Sequence, residues 1–220
     1  MTEHGATKIL HVLRNNFSIP QWADAPKDVF QVLIMTVLSQ ATADRNMERA
    51  FRGLSKRFPI TPKSLADARV EEIEVAIRVA GLYRNKSKVI KEVSRLILEK
   101  FGGSLDFIYS LPFEESRKTL ISLPGVGPKT ADVVLLFCAG KPTLPVDTHV
   151  NRVSKRLRLV SPNADYEGVR GALQSVYSPK DYLPVHLLLI SLGRRYCKAR
   201  NPLCKPCPVN TLCPSRQVEK

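Results

Sequence analysis

The sequence lacks any long apolar run. The longest uninterrupted one extends only from Val133 to Ala139, whereas a helix that spans a membrane needs about 20 apolar residues. The first ten residues, MTEHGATKIL, also lack the apolar core of a secretory signal peptide. We therefore expect a cytoplasmic protein that has no membrane partner and meets a reducing environment, in which disulfides are rare.

Alternating strand-like patterns, internal repeats and low-complexity segments are also scarce. Apolar residues recur instead at helical spacing, as in Val89, Ile90, Val93, Leu96 and Ile97. Prolines and glycines divide the chain into short segments that hold about nine or ten helices. The sequence therefore predicts an all-α fold, and the loop between Gly140 and Pro145 is a plausible domain boundary.

Acidic residues are few for a chain of this size. There are 34 Lys and Arg against 20 Asp and Glu, which gives a net charge of +14 and a pI near 9.8. A polyanion such as nucleic acid is the natural partner of such a chain. Many small basic proteins bind no nucleic acid, however, so the motifs have to decide.

Cysteine is scarce, yet four of the five cysteines lie close together near the C-terminus. They are Cys197, Cys204, Cys207 and Cys213. In a reducing compartment this clustering favours a metal centre over disulfides. The chemistry of four thiols alone allows either zinc or a 4Fe-4S cluster. Cys138 stands outside the group, in an apolar run, and is expected to be a small buried side chain.

The segment LPGVGPKTADVVL, residues 123–135, places two glycines in a tight turn between two helical patterns. Glycine permits positive φ and close approach of the backbone. We expect the amides of Gly125, Val126 and Gly127 to lie at the N-terminus of the second helix, where an anion such as a DNA phosphate binds. The alternative is an ordinary helical hairpin in which glycine ends the first helix.

Lys129 begins the second helix of this hairpin. The positive end of the helix dipole and nearby cations disfavour an ammonium group, so we expect its pKa to be lowered and its amine to act as a nucleophile. The alternative is a surface lysine that contacts phosphate.

Further along, VDTHV places Asp147 just before a new helical pattern. Such an aspartate is either an N-cap or a catalytic carboxylate.

The order of these motifs resembles the endonuclease III branch of the helix-hairpin-helix-GPD DNA glycosylases, over roughly residues 22–214. The resemblance implies that Lys129 attacks the sugar C1′ and that Asp147 assists loss of the base. Because members that cut only the glycosidic bond lack this lysine, it also implies strand cleavage by β-elimination. The expected substrate is duplex DNA that contains oxidised pyrimidines or abasic sites, and the expected state is a monomer.

The resemblance also implies a domain organisation and a cofactor. Residues 22–139 are expected to form a six-helix barrel that contains the hairpin. Residues 1–21 and 140–220 are expected to form a discontinuous helical domain, in which the four clustered cysteines hold a 4Fe-4S cluster. On the cysteine-rich loop, residues 197–213, the side chains of Lys198, Arg200 and Lys205 are expected to face DNA phosphates.

An enzyme that acts on a base in a duplex swings it out of the stack, and protein side chains fill the vacancy. Two stretches resemble the family's filling loops, residues 39–44 and the loop at Leu82. In the first stretch Gln40 comes one residue earlier than in the commonest family pattern, so either Gln40 or Ala41 faces the vacancy. Leu82 is either a wedge in the duplex or a core residue. The lesion pocket is expected to include Ser39, Asp44 and His149, with capping or packing as their alternative roles.

Two other functions are compatible with these residues. The early position of Gln40 is similar to that in glycosylases that remove uracil or thymine opposite guanine. A non-catalytic helix-hairpin-helix protein that binds DNA and contains a structural metal site is the second possibility, although the pair of Lys129 and Asp147 argues against it.

Overall fold

The computed structural model describes residues 3–24 and 27–216, and this part of the chain is helical without a β-strand. The α-helices are α1 (Glu3–Asn16), α2 (Val29–Ser39), α3 (Asp44–Arg57), α4 (Pro62–Asp67), α5 (Val70–Ile77), α6 (Tyr83–Phe101), α7 (Phe107–Ser110), α8 (Phe113–Ile121), α9 (Pro128–Ala139), α10 (Thr148–Arg156), α11 (Tyr166–Val176) and α12 (Tyr182–Arg195). Short 3-10 helices cover Gln21–Asp24, Arg78–Ala80, Pro179–Asp181 and Asn210–Leu212. None of the described helices is long and apolar enough to cross a membrane.

The all-α prediction is confirmed, but the expected number of helices was too low. The described residues form twelve α-helices, because α4 and α7 are short helices of 6 and 4 residues. Segments of one or two turns contain too few residues to show a helical period in the sequence.

Local chemistry sets many helix ends. Asp28, Thr61 and Asp165 are N-caps of α2, α4 and α11, and each side chain accepts a backbone N–H from three residues further on, at 2.7, 3.2 and 2.8 Å. Gly102 and Gly140 end α6 and α9 in the left-handed conformation, each with φ of 61°.

The chain divides into two compact units. One combines Met1–Ala25 with Pro142–Lys220, and the other is Pro26–Lys141. The expected boundaries at residues 22 and 139 lie a few residues before these. Residues 1, 2, 25, 26 and 217–220, which include both termini of the expected discontinuous domain, lie outside the described residues.

The unit Pro26–Lys141 is built around α2, which packs against α3, α6 and α9. Leu33, Ile34 and Leu38 of α2 have no exposed surface. Helices α8 and α9 form the hairpin, and a buried ion pair joins them. Arg117 donates to both carboxylate oxygens of Asp132, at 2.8 and 3.2 Å, and the side chain of Asp132 is fully buried. This pair fixes the two hairpin helices against each other.

The other unit has its own apolar core, to which the N-terminal helix contributes. In this core α12 packs against both α1 and α10. Helix α1 contributes Ala6, Ile9 and Leu13, which are all essentially buried. Helix α1 therefore completes a core whose other buried apolar residues, among those described, come after Pro142.

Candidate active site and DNA interface

The hairpin turn between α8 and α9 requires glycine at one of its two glycine positions. Gly125 has φ of +73°, and a Cβ atom there would lie 2.3 Å from Cγ1 of Val89. Both the backbone conformation and the packing therefore exclude a side chain. Gly127 differs, since it is the N-cap of α9 with φ of −89°, and a Cβ there would meet no atom within 4 Å.

Fewer amide groups of the turn are accessible to an anion than the sequence predicted. The N–H of Val126 donates to the carbonyl of Leu123 at 3.2 Å, and its side chain is only 5% exposed. Val126 is therefore part of the turn and the core, which corrects the expectation that three consecutive amides face a phosphate. Among the described residues, the amides of Gly125 and Gly127 donate to no backbone acceptor, so these two are placed to bind an anion.

Lys129 is the second residue of α9 and is half-buried. It therefore lies in the first turn, at the positive end of the helix dipole, as the sequence predicted.

Cys138 lies near the opposite end of the same helix. It is half-buried against the core, and burial raises the pKa of its thiol to about 11, so this thiol is protonated at neutral pH.

Asp147 is the N-cap of α10. Its Oδ1 accepts the N–H of Val150 at 2.7 Å, so the capping interpretation is confirmed for one carboxylate oxygen. Within the described part of the chain, Oδ2 accepts no hydrogen bond. A half-buried carboxylate held through one oxygen has a fixed direction and a second oxygen available for chemistry.

His149 lies one residue into α10 and contacts Arg152. Its Nδ1 is 3.0 Å from Nη2 of Arg152, and burial lowers the pKa of its imidazole, while the charge of Asp147 acts in the opposite direction. Arg152 also donates to the carbonyls of Gly193 and Cys197, at 3.2 and 2.9 Å. Arg152 therefore connects the helix capped by Asp147 to the start of the cysteine-rich loop, a contact that the sequence did not reveal.

The first predicted filling loop follows α2 and reaches the hairpin. The Nε2 of Gln40 donates to the carbonyl of Gly125 at 3.0 Å, and Ala41 is exposed with φ of 49°. The hydroxyl of Ser39 donates to Thr36 of its own helix at 2.7 Å. Asp44 is the first residue of α3, whose N-cap is Ala43, so Asp44 does not cap this helix.

The second predicted filling loop ends in an exposed leucine. Leu82 is 62% exposed and has φ of 47°, so the alternative that it is a core residue is wrong. The guanidinium groups of Arg78 and Arg84 lie 6.0 and 5.8 Å from the ring centre of the next residue, Tyr83. An apolar tip with two cations beside it is suited to a duplex, in which the stacked bases are flanked by phosphates.

The four clustered thiols line one cavity of about 80 Å³. None of them is in a disulfide, and Nη1 of Arg156 donates to Sγ of Cys197 at 3.4 Å. Burial raises the pKa of Cys207 and of Cys213, and the negative charges of the neighbouring thiolates act in the same direction. Within the described residues, no three His, Cys, Asp or Glu side chains converge on a single metal ion. Four thiols on one cavity, with a cation beside them, are a suitable donor set for a multi-iron cluster.

The cations predicted on the cysteine-rich loop are exposed. Lys198, Arg200 and Lys205 all point away from the core. Arg156 donates to the carbonyls of Lys198 and Ala199 at 2.7 and 3.1 Å. The loop backbone is therefore fixed while its charged side chains stay accessible.

The predicted site residues are distributed between the two units. Lys129, the hairpin and both filling loops belong to Pro26–Lys141, whereas Asp147, His149 and the four clustered cysteines belong to the other unit.

The sequence analysis missed one buried cation, Lys86. The sequence feature that indicates its burial is its position on the apolar stripe of α6, four residues before the buried Ile90.

A helical fold with a glycine hairpin and a lysine directly after its turn is typical of the helix-hairpin-helix class of DNA-binding proteins. In agreement, residues 34–179 match the family model of the HhH-GPD superfamily base excision DNA repair proteins. The chain belongs to the endonuclease III family of this superfamily, which confirms the resemblance.

Individual relatives support this assignment. The chain is 40% identical to endonuclease III of Thermotoga maritima over 84% of its own length and 83% of that protein. A solved structure of a trapped covalent intermediate of endonuclease III with DNA has a TM-score of 0.86 at 31% identity, and the match covers 98% of this chain and 97% of that one. A thermostable thymine-DNA glycosylase shares the fold, with a TM-score of 0.77 at 22% identity over 96% of this chain and 94% of that one.

Proposed function

We propose that this chain removes oxidised pyrimidines from duplex DNA and then nicks the strand at the resulting abasic site. As a member of the endonuclease III family it is a bifunctional base-excision repair enzyme, a DNA glycosylase with abasic-site lyase activity. The observation that carries the proposal is the position of Lys129, in the first turn of α9 directly after the glycine turn. A related endonuclease III has been trapped covalently on DNA, and a lysine so placed supplies the nucleophile that such a complex requires.

In the proposed reaction the neutral amine of Lys129 attacks C1′ while the bond from C1′ to the base breaks. The base leaves with the bonding electrons and takes up a proton. Opening of the sugar ring then gives a protonated Schiff base between Lys129 and C1′. Loss of a proton from C2′ expels the phosphate from C3′, and water finally hydrolyses the Schiff base and releases the lysine.

Asp147 assists the first of these steps. A carboxylate stabilises the positive charge that develops on the sugar as the base leaves, and this effect is strong when the group is fixed in advance. The bond from the N–H of Val150 to Oδ1 fixes its direction, and Oδ2 is available to face the sugar. His149, Ser39 and Asp44 are proposed to complete the lesion pocket.

The DNA contacts follow from exposure and charge. We propose that the amides of Gly125 and Gly127 bind a phosphate, with Val126 supporting the turn, and that Leu82 and Gln40 or Ala41 enter the duplex. Lys198, Arg200 and Lys205 contact further phosphates, which positions the DNA without reading its sequence. The protein is proposed to act on this duplex as a monomer.

The four clustered cysteines are proposed to hold a 4Fe-4S cluster. In such a cluster each thiolate binds a different iron, so its ligands need not converge on a single point. The cavity lined by these thiols and the donor Arg156 support this choice over a single zinc ion. When bound, the cluster supplies a rigid centre for a loop that contains little apolar surface of its own.

A lesion panel tests the substrate assignment. Duplexes contain an oxidised pyrimidine, uracil or thymine, each placed opposite all four bases, and both base release and strand nicking are measured. We expect release and nicking of oxidised pyrimidines opposite any base. Activity restricted to uracil or thymine opposite guanine would instead establish the mismatch glycosylase, and DNA binding without release or nicking would establish the non-catalytic protein.

A further inference from the structure

Lys86 is a buried lysine for which the proposed chemistry has no use. It lies in the first turn of α6 and is only 4% exposed. Its Nζ donates to the carbonyls of Leu38 and Ala80, at 2.8 and 3.0 Å, and to the hydroxyl of Thr42 at 2.5 Å. A lysine has three N–H donors, and all three are used here. Burial lowers the pKa of this amine, but these partners stabilise its charged form.

The partners of Lys86 lie where the two filling loops begin. Leu38 is in the last turn of α2, and Ala80 ends the 3-10 helix Arg78–Ala80. Carbonyls at helix ends lack intrahelical partners and lie at the negative end of the helix dipole, so a cation is favoured there. One ammonium group therefore caps two helices whose chains continue into the loops at Gln40 and Leu82.

The loops themselves are held in unusual backbone conformations. Ala41 and Leu82 both have positive φ, 49° and 47°, and both are exposed. Non-glycine residues adopt this conformation mainly where their surroundings enforce it. Thr42 joins the two loops directly, because its hydroxyl donates to the carbonyl of Ala80 while accepting from Lys86.

The phosphate-binding turn meets the same part of α6. Val89, three residues after Lys86, contacts Gly125 so closely that a Cβ there would lie 2.3 Å from it. Gln40 also donates to the carbonyl of Gly125 at 3.0 Å. The first turns of α6 therefore contact the three segments of the unit Pro26–Lys141 that are proposed to touch DNA.

We propose that Lys86 is a positioning residue that holds the loop tips at Ala41 and Leu82 at a fixed spacing before DNA binds, so that both enter the duplex together. A methionine of similar length would fill the same space without the penalty of burying a charge. The charged group is retained because it binds two carbonyls and a hydroxyl in one arrangement. This inference rests on the proposed function, since it assumes that the two loops enter DNA.

Lys86→Met tests the inference, and the same helix provides a matched control. The Nζ of Lys91 donates to the carbonyls of Ala66 and Ala68, both at 2.7 Å, and so caps α4 and neither filling loop. Lys91→Met therefore removes an equivalent ammonium cap without touching them. Both variants are compared with the wild type by thermal unfolding and by single-turnover excision of an oxidised pyrimidine from duplex DNA.

Loop entry is measured separately from catalysis. A duplex carries a stable abasic analogue with 2-aminopurine beside it, because the fluorescence of this base rises when it is unstacked. We expect Lys86→Met to bind the duplex but to give little fluorescence rise, and to excise at least about tenfold more slowly than Lys91→Met. Borohydride trapping on single-stranded abasic DNA, in which no vacancy is filled, should be the same in both variants.

Equal fluorescence and equal excision in Lys86→Met and Lys91→Met would overturn the inference. If Lys86→Met does not fold, Thr42→Val decides by the same readouts, since it removes only the hydroxyl that joins the loops. A Thr42→Val protein with wild-type fluorescence would then reject the inference. Absence of trapping and excision in the wild type would reject the proposed function instead, and the fluorescence measurement would still decide the role of Lys86.

Discussion

We propose that two side chains, Lys129 and Asp147, carry out different parts of the reaction. Each of them lies at the start of a helix, which fixes its position. Lys129 lies in the first turn of α9, where an ammonium group is least favoured. Asp147 precedes the first turn of α10, and its carboxylate accepts the N–H of Val150. The two helix starts therefore fix the places of the amine and of the carboxylate that the proposed reaction uses.

Asp147→Asn separates the cap from the charge. Asparagine caps helices as well as aspartate, so we expect the free energy of unfolding to change by less than about 0.5 kcal/mol. Loss of the charge should slow base release by about 100-fold or more, with DNA affinity largely unchanged. Single-turnover base release and a binding titration measure the two effects. A variant that loses affinity but releases the base at the wild-type rate would contradict the catalytic role.

Among the elements, the hairpin of α8 and α9 combines a fixed shape with an accessible surface. At Gly125 the side chain of Val89 of α6 occupies the place of a Cβ atom, whereas a Cβ at Gly127 would face open space. The buried pair of Arg117 and Asp132 holds the two helices together behind the turn. The turn therefore offers backbone amides to a ligand without needing to rearrange when the ligand binds.

The two hairpin glycines should respond differently to alanine. Gly125→Ala combines a positive φ with a contact to Val89, so we expect a loss of about 2 kcal/mol or more of stability. Gly127→Ala should leave stability within about 0.5 kcal/mol of the wild type, since its Cβ meets nothing, while the added methyl group weakens phosphate binding. Denaturant unfolding and DNA titration measure both quantities. Equal stability of the two variants would show that the turn is less constrained than described.

The hairpin also shows how far the sequence predicted the elements. The glycine spacing, the place of Lys129 and the cap at Asp147 are local patterns, and the structure has them where the sequence indicated. The use of the Val126 amide inside the turn was not predicted. Nor were the partners of Lys86, because its acceptors at Leu38 and Thr42 come from 48 and 44 residues away along the chain. Periodicity indicates that a position is buried but does not identify its neighbours.

At the scale of the whole molecule, the chain forms two compact units, and the cysteine-rich loop belongs to the unit that combines Met1–Ala25 with Pro142–Lys220. Cys197, Cys207 and Cys213 pack against the core that α1 completes, and Arg156 donates to the sulfur of Cys197. The sequence identified the four thiols because their spacing is local. It did not identify Arg152 and Arg156 as the residues that hold the loop, since these contacts join positions more than 40 residues apart.

Cys207→Ser should remove the cluster and DNA binding together. Loss of one thiolate ligand leaves the loop without its rigid centre, so the cations at Lys198, Arg200 and Lys205 are no longer held in place. Iron content, visible absorbance and DNA affinity measure the effect. Cys138→Ser is the matched control, because this thiol lies in the other unit and should leave iron content unchanged. A colourless Cys207→Ser protein with full activity would refute the assignment of the cluster.

The central claim is that Lys129 forms a covalent bond with the sugar of damaged DNA, and borohydride trapping on abasic-site duplex measures this directly. Lys118, an exposed lysine on the first helix of the same hairpin, provides the control. The account predicts a protein–DNA adduct in the wild type and in Lys118→Gln, and none in Lys129→Gln. An adduct of normal yield in Lys129→Gln, or no adduct in the wild type, would contradict it.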